Sequence, residues 1–374
     1  ALYNYYQNIT NNTFKVLSDD STLNLFTFNS SITENTVYKG GSNSKGISLD
    51  CLSGMGGNTI SNNIVNTVGG NNIQLFLSSN NIIDNNTLES ENQVAAAIIL
   101  IQSASNNNII TNNKINGTST VNGWFILFFS SDNNVLTNNS IYSVYAGAQN
   151  HRLYDSNNNT IINSYIDGSG YDFYVAGNSN GHSNYIINST SDTIGFDGSS
   201  VTDKLYFQWY LDVYVNDTAG SLIEDANVTA WQSNSTEAFT RLTDASGNIP
   251  RQVLTEYMQN YTAKYYTDYN NYTVNATKSG SSENTIQVNL TTNKQIYLTL
   301  SSDTTNLVIA FVPPTPDDNN ITSNNYTYIN WTITETSPDM TIFNWNGTNT
   351  TLTNSSVNQT GLADGTYTYY VWAN

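Results

Sequence analysis

The chain has 374 residues, with 29 Asp plus Glu against 11 Lys plus Arg and a formal net charge of −18. That surplus of negative charge argues against binding to nucleic acid or to anionic membrane surfaces, and no apolar run is long enough to span a bilayer as a helix. The length allows two or three domains, and a single cysteine, Cys51, excludes an intrachain disulfide framework.

In chain order, the first element is a repeat. QNITNNTF begins at Gln7, SSITENTV at Ser30, NTISNNIV at Asn58 and NIIDNNTL at Asn81; NIITNNKI follows at Asn108, NVLTNNSI at Asn134, NTIINSYI at Asn159 and NYIINSTS at Asn184. The starts lie 23 to 28 residues apart, a period that marks a solenoid. The third position is Ile9, Ile32, Ile60, Ile83, Ile110, Leu136, Ile161 and Ile186, always a large aliphatic. The eighth is Phe14, Val37, Val65, Leu88, Ile115, Ile141, Ile166 and finally Ser191. The fifth is Asn11, Glu34, Asn62, Asn85, Asn112, Asn138, Asn163 and Asn188. Asparagine tolerates the left-handed backbone of a sharp corner, so the fifth position predicts a bend between two short strands. Stacked coils then put aliphatic over aliphatic, and asparagine over asparagine in hydrogen-bonded ladders at a strand spacing of about 4.8 Å. A further apolar segment precedes most repeats: GISL at Gly46, IQLFL at Ile73, AAAIILI at Ala95, GWFILFF at Gly123 and YDFYV at Tyr171. Cys51 follows the GISL segment and is expected to be a buried thiol.

This coil pattern, with GISL followed by NTISNNIV, resembles the right-handed parallel β-helix repeats of pectate-lyase-like proteins. It is most similar to the variety found in archaeal and bacterial surface proteins and in the periplasmic copper-protein maturation family. The resemblance covers roughly residues 1–200, and it implies a fold rather than a function.

Beyond Gly198 the pattern changes. KLYFQWYLDVYVND alternates strictly, with Leu205, Phe207, Trp209, Leu211, Val213 and Val215 on one side, which predicts a long half-buried strand. NDTAG and DASGN are turn clusters, and ANVTAW and YTVNAT are further strands. Residues 201–303 resemble carboxypeptidase-regulatory-like or bacterial Ig-like sandwiches through LDVYVNDTAGSLIEDANVTAW and TDASGNIPRQVLTEY. In residues 304–374, VPPTPDDNN is a stiff linker or strand start, and TYINWTITE (Thr327–Glu335) alternates again. FNWNGTNTTL and GLADGTYTYYVWAN are similar to Ig-like modules of archaeal surface proteins. The last segment, running to Asn374, is expected to be the penultimate strand of a sandwich closed either by further chain or by a neighbour. The expected class is therefore all-β: a right-handed parallel β-helix of about eight coils over 1–200, followed by two β-sandwich domains.

Sequons point to compartment. Residues 1–200 hold eight N-x-S/T sites, the number their Asn, Ser and Thr content gives by chance; residues 201–374 hold fourteen, more than twice chance. Those are Asn216, Asn227, Asn234, Asn260, Asn271, Asn275, Asn289, Asn320, Asn325, Asn330, Asn346, Asn349, Asn354 and Asn358. The excess is expected of an extracellular, cell-surface glycoprotein whose outer modules carry N-linked sugar.

Chemistry-bearing residues are sparse. Asp50, Asp84, Asp132 and Asp155 fall at different offsets from the repeat starts. Only Asp167 and Asp192 coincide, both eight residues on, a candidate pair for a calcium ion or for glycoside chemistry, or simply turn residues. Lys114, Arg152 and Lys204 are scattered, and His151 and His182 do not share an offset, so a copper site built on them is not expected. The expectation is no enzyme activity, no catalytic residue and no cofactor beyond glycans and that candidate calcium.

WFILFF, Trp124–Phe129, is apolar on both alternating sides. Either Trp124, Ile126 and Phe128 or Phe125, Leu127 and Phe129 must then face out of the coil, forming an apolar strip with AAAIILI that would contact another subunit, be covered by the chain's own sandwiches, or meet a ligand or solvent. The function expected from the whole is a secreted structural glycoprotein that self-assembles into a surface layer, sheath or filament from copies of itself. The alternatives are a β-helix that binds or cleaves carbohydrate, with a surface polysaccharide as partner, and a monomeric adhesin.

Overall fold

The structure, a computed structural model, describes residues 4–16, 22–41, 45–91, 96–118, 123–144, 147–168, 170–178, 181–199, 201–266, 269–301, 308–334 and 340–373. Ala95, Glu335 and Asn374, at the ends of segments read above as strands, lie outside them. All regular structure among the described residues is β-strand.

The first half is a parallel β-solenoid with three faces. The first face stacks the strands Asn8–Thr10, Ser31–Thr33, Thr59–Ser61, Ile82–Asp84, Ile109–Thr111, Val135–Thr137, Thr160–Ile162 and Ser183–Ile187. Its ladder runs Ile9, Ile32, Ile60, Ile83, Ile110, Leu136, Ile161, Ile186, one above another. The second face stacks seven strands, from Thr13–Val16 to Tyr165–Gly168, and aligns Phe14 through Ile166 in the same way. The third face holds eight, from Leu23–Leu25 to Ile194–Phe196. The eighth repeat gives a strand to the first face and none to the second, so about seven turns close instead of eight. The reason lies at its eighth position, where Ser191 replaces the large apolar residue that every other coil packs against the core.

Every fifth-position residue adopts the left-handed conformation, from Asn11 (φ 57°) through Glu34 (φ 58°) to Asn188 (φ 46°). The residue after it makes the ladder. Asn35 Oδ1 accepts from both the backbone N–H and the side-chain amide of Asn12; Asn63, Asn86, Asn113 and Asn139 repeat this, each on the Asn one coil earlier, at 2.9–3.3 Å. A second ladder runs through Asn58, Asn81, Asn108, Asn134, Asn159 and Asn184. Apart from Asn12 at the exposed end, these asparagines are buried, and a buried amide is tolerated only because its donors and acceptors are matched. Cys51 is buried as expected, its thiol donating to the Thr27 carbonyl at 3.2 Å, and burial pushes its pKa up.

Strand Lys204–Asp217 serves two units. Its first residues pair in parallel with Ser183–Ile187 and extend the first face. Leu205 and Phe207, with Tyr257, close the end of the solenoid core. Its later residues pair in parallel with Lys294–Leu300 and place Leu211, Val213 and Val215 in a second core. A four-stranded antiparallel sheet, in the order Glu237–Leu242, Asn227–Trp231, Asn271–Thr277, Asn284–Asn289, covers that core. The C-terminal region contains two three-stranded antiparallel sheets around Ile329, Trp331 and Phe343, with the Trp331 and Phe343 rings parallel at 5.9 Å.

Candidate functional site

The outer side of the third solenoid face carries a cluster of exposed and half-buried rings from neighbouring coils. Its strand Trp124–Phe129 does not follow simple alternation. Phe125, Ile126 and Phe128 all belong to the core. Phe125 turns inward because Gly117 leaves it room: a Cβ at Gly117 would lie 2.3 Å from the Phe125 ring. Neither expected set is outward as a whole, and the strip of three large apolar residues is corrected accordingly. What remains outside the core is Trp124, half-buried, Leu127, buried beside Arg152 in the ladder, and Phe129, 40% exposed.

The next two coils complete the surface. Strand Gln149–Tyr154 brings Arg152 and Tyr154, and Tyr171–Ala176 brings Tyr171 and Tyr174. The Arg152 guanidinium lies 4.9 Å from the Trp124 ring, 5.5 Å from Tyr154 and 5.6 Å from Tyr174. Each such contact contributes roughly 0.5–2 kcal/mol, more as water is excluded. The Phe129 and Tyr154 rings stack at 4.6 Å and 4°. One Arg152 N–H donates to Gln149 Oε1 at 3.2 Å. Burial pulls the Arg152 pKa below its ordinary value, opposed by the partial charges of Tyr174 and by Asp197; guanidinium remains a cation throughout. Burial and Asp197 push Tyr174 up, so its phenol stays protonated and available as a donor. Toward the N-terminus the row continues in register from Phe129 to Gln102 and Phe76. Flat rings, amides and one fixed cation thus alternate over neighbouring coils. Such a surface suits a ligand with apolar faces and hydroxyl edges.

The other sequence candidates are dispersed. Asp167 is exposed on the second face in register with Tyr142, whereas Asp192 precedes the third face, where its N–H donates to Asp172 Oδ2 at 2.7 Å. The shared offset therefore does not place the two carboxylates on one ladder, because the chain after Ser191 forms no second-face strand. All fourteen outer sequon asparagines are at least partly exposed. His182 pairs with the buried Asp203 at 3.2 Å. Arg152, set aside in the sequence as one of several scattered cations, is the residue the fold makes central. Its strand carries too few aliphatics to stand out by periodicity.

His151 faces the interior between Ile126 and Phe173 in the ladder. Its Nδ1–H donates to the Asp172 carbonyl at 3.2 Å, and Nε2 has no partner among the described residues. Burial lowers its pKa from 6.5 to about 4. A folded value below the unfolded one means that the unfolded chain takes up the proton first. Stability is therefore unaffected above pH 6.5 and falls as pH drops from 6.5 toward 4, by up to about 3 kcal/mol. His151→Phe is expected to flatten that part of the curve, measured as the difference in urea midpoint between pH 7 and pH 4.5.

The chain is a parallel β-solenoid protein with antiparallel sheets after the solenoid. No family model matches its sequence, and no curated protein does. Among solved structures it is similar to the tailspike protein of Acinetobacter baumannii phage AM24, at 8% identity and a TM-score of 0.28, over 80% of this chain and 62% of that one. It is also similar to the enzymatically active domain of tailspike protein 2 of bacteriophage CBA120, at 11% identity and a TM-score of 0.14, over 73% and 70%. A DUF3823 family protein from Parabacteroides merdae matches at 10% identity and a TM-score of 0.19, over 44% and 80%. At these identities and TM-scores the likenesses carry no argument about this chain. The expectation that this chain is not an enzyme is corrected and withdrawn beside these neighbours, one of which is named as an enzymatically active domain; the likeness assigns this chain no activity of its own.

Proposed function

We propose that the chain is an extracellular carbohydrate-binding β-solenoid that holds a glycan chain against the outer side of its third face. The observation that carries the reading is the packing of Arg152 against Trp124, Tyr154 and Tyr174, beside the Phe129–Tyr154 stack. A sugar ring presents C–H groups to the electron-rich face of an aromatic ring and hydroxyls to flanking donors. Gln102, Gln149 and Arg152 supply those donors in the same rows. The self-assembly reading loses its support, since Ile126 and Phe128 are fully buried and Phe125 nearly so.

Affinity electrophoresis through a panel of soluble bacterial and archaeal cell-surface polysaccharides tests the proposal. At least one polymer should retard the native chain, and Trp124→Ala or Tyr154→Ala should weaken that binding by about tenfold or more, the loss expected of a central aromatic anchor. Retardation that survives both substitutions would sink the proposal. Release of reducing ends from a retarding polymer would extend it from binding to cleavage.

A further inference from the structure

We infer that the second unit carries its own sugar-binding groove, floored by Trp231 and fitted to a neutral pyranose of an external oligosaccharide. It lies on the four-stranded sheet and does not depend on the solenoid face. Alternation along Asn227–Trp231, Asn271–Thr277 and Asn284–Asn289 sends Val228, Ala230, Tyr272, Val274, Ala276 and Val288 into the core. The opposite side then presents Trp231, Thr273 and Gln287, aligned across three neighbouring strands. Gln287 Nε2 donates to Thr273 Oγ1 at 2.8 Å, which fixes the amide beside the ring. The turn after Trp231 folds back through Ser235 N–H to the Gln232 carbonyl at 2.9 Å, with Ser235 at φ 66°. That turn sets Ser233 and Ser235 on one wall, and Asn271 stands on another.

The groove holds about 470 Å³, within the roughly 300–1,000 Å³ of small-molecule sites. Its lining holds one large ring, amides and hydroxyls, and no charged side chain. No ring, cation or hydrogen bond among the described residues occupies the Trp231 indole. An apolar floor with neutral donors and acceptors around it selects a ligand that is uncharged, flat on one side and rich in hydroxyls at its edge. A pyranose has those properties; an acidic sugar would find no cation here, and a hydrocarbon would leave the amides unpaired.

The test uses the full chain made in a host that does not glycosylate, titrated calorimetrically with neutral hexaoses of glucose (α-1,4 and β-1,4), mannose and N-acetylglucosamine. At least one should bind. Trp231→Ala should weaken it by about tenfold or more and Gln287→Ala by several-fold, while Tyr142→Ala, at an exposed ring on the second solenoid face, leaves it unchanged. Retained thermal unfolding of the Gln287→Ala chain guards against a loss caused by misfolding. Binding that is lost in Trp124→Ala and kept in Trp231→Ala would overturn the inference without harming the solenoid reading. So would failure of all four hexaoses to bind, or native material in which a glycan on Asn271 fills the groove and blocks them.

Discussion

Ile110→Asn is expected to destabilise the solenoid by roughly 3–8 kcal/mol, of which about 2–5 is lost packing and about 1–3 is an amide buried without partners. Ile110 has no exposed surface and stands between Ile83 and Leu136 in the ladder. The replacement amide would stand in a row of aliphatics, where neither ladder neighbour offers a hydrogen-bonding side chain. The control is one residue away. Ile109 is 45% exposed on the same strand, and Ile109→Asn should cost no more than about 0.5–1 kcal/mol. Urea unfolding followed by far-UV circular dichroism measures both. Equal effects at the two positions would contradict the alternation assigned to this strand, and a larger loss at Ile109 would mean that it is inverted.

The second large effect is expected from the buried asparagines. Asn113 Oδ1 accepts from the Asn86 backbone N–H and from the Asn86 amide, each at 3.0 Å. Its Nδ2 donates to the Ile83 and Thr111 carbonyls at 2.9 Å and to Asn139 Oδ1 at 3.0 Å. Asn113→Ala orphans the Asn86 N–H and leaves two carbonyls short of a donor inside a dry wall, at a cost of about 3–5 kcal/mol. Asn112, its neighbour, is an exposed corner residue with φ 56°. Asn112→Ala should cost only about 1–2 kcal/mol, the penalty of forcing a Cβ into the left-handed region, and Asn112→Gly should cost less. A ranking in which the corner matters more than the ladder would contradict the account of what asparagine does here.

How much of this was legible follows from where each signal resides. The aliphatic positions and the corner repeat in sequence, so a period of about 25 residues exposes both. The ladder asparagine sits one residue after the corner asparagine. Two adjacent identical letters hide which one bends the chain and which one bonds, and only burial separates Asn112 from Asn113. The long strand Lys204–Asp217 was legible as a strand. That it belongs to two cores was not, because Leu205 and Phe207 alternate in the same way as Leu211 and Val213. The hand-over falls at Gln208, Trp209 and Tyr210, where three half-buried residues follow one another and the pairing with Gln252–Gln259 slips by one.

The candidate site was the least legible part. Trp124 and Phe129 drew notice as apolar residues, yet Phe125 and Ile126 both turn inward, which no period-two pattern anticipates. Arg152, Tyr154 and Tyr174 come from coils whose strands are mixed in polarity. Their meeting depends on inter-coil register, which the variable loops between strands obscure.

Hydroxyl-radical footprinting with and without a bound oligosaccharide tests the central claim most directly, since exposed aromatic side chains react fastest and are read individually by mass spectrometry. The account predicts that glycan protects Trp124, Phe129, Tyr154, Tyr171 and Tyr174 together, while Tyr38 and Tyr142 on the second face keep their reactivity. Unchanged labelling of those five residues under saturating glycan, with protection appearing elsewhere on the solenoid, would contradict it.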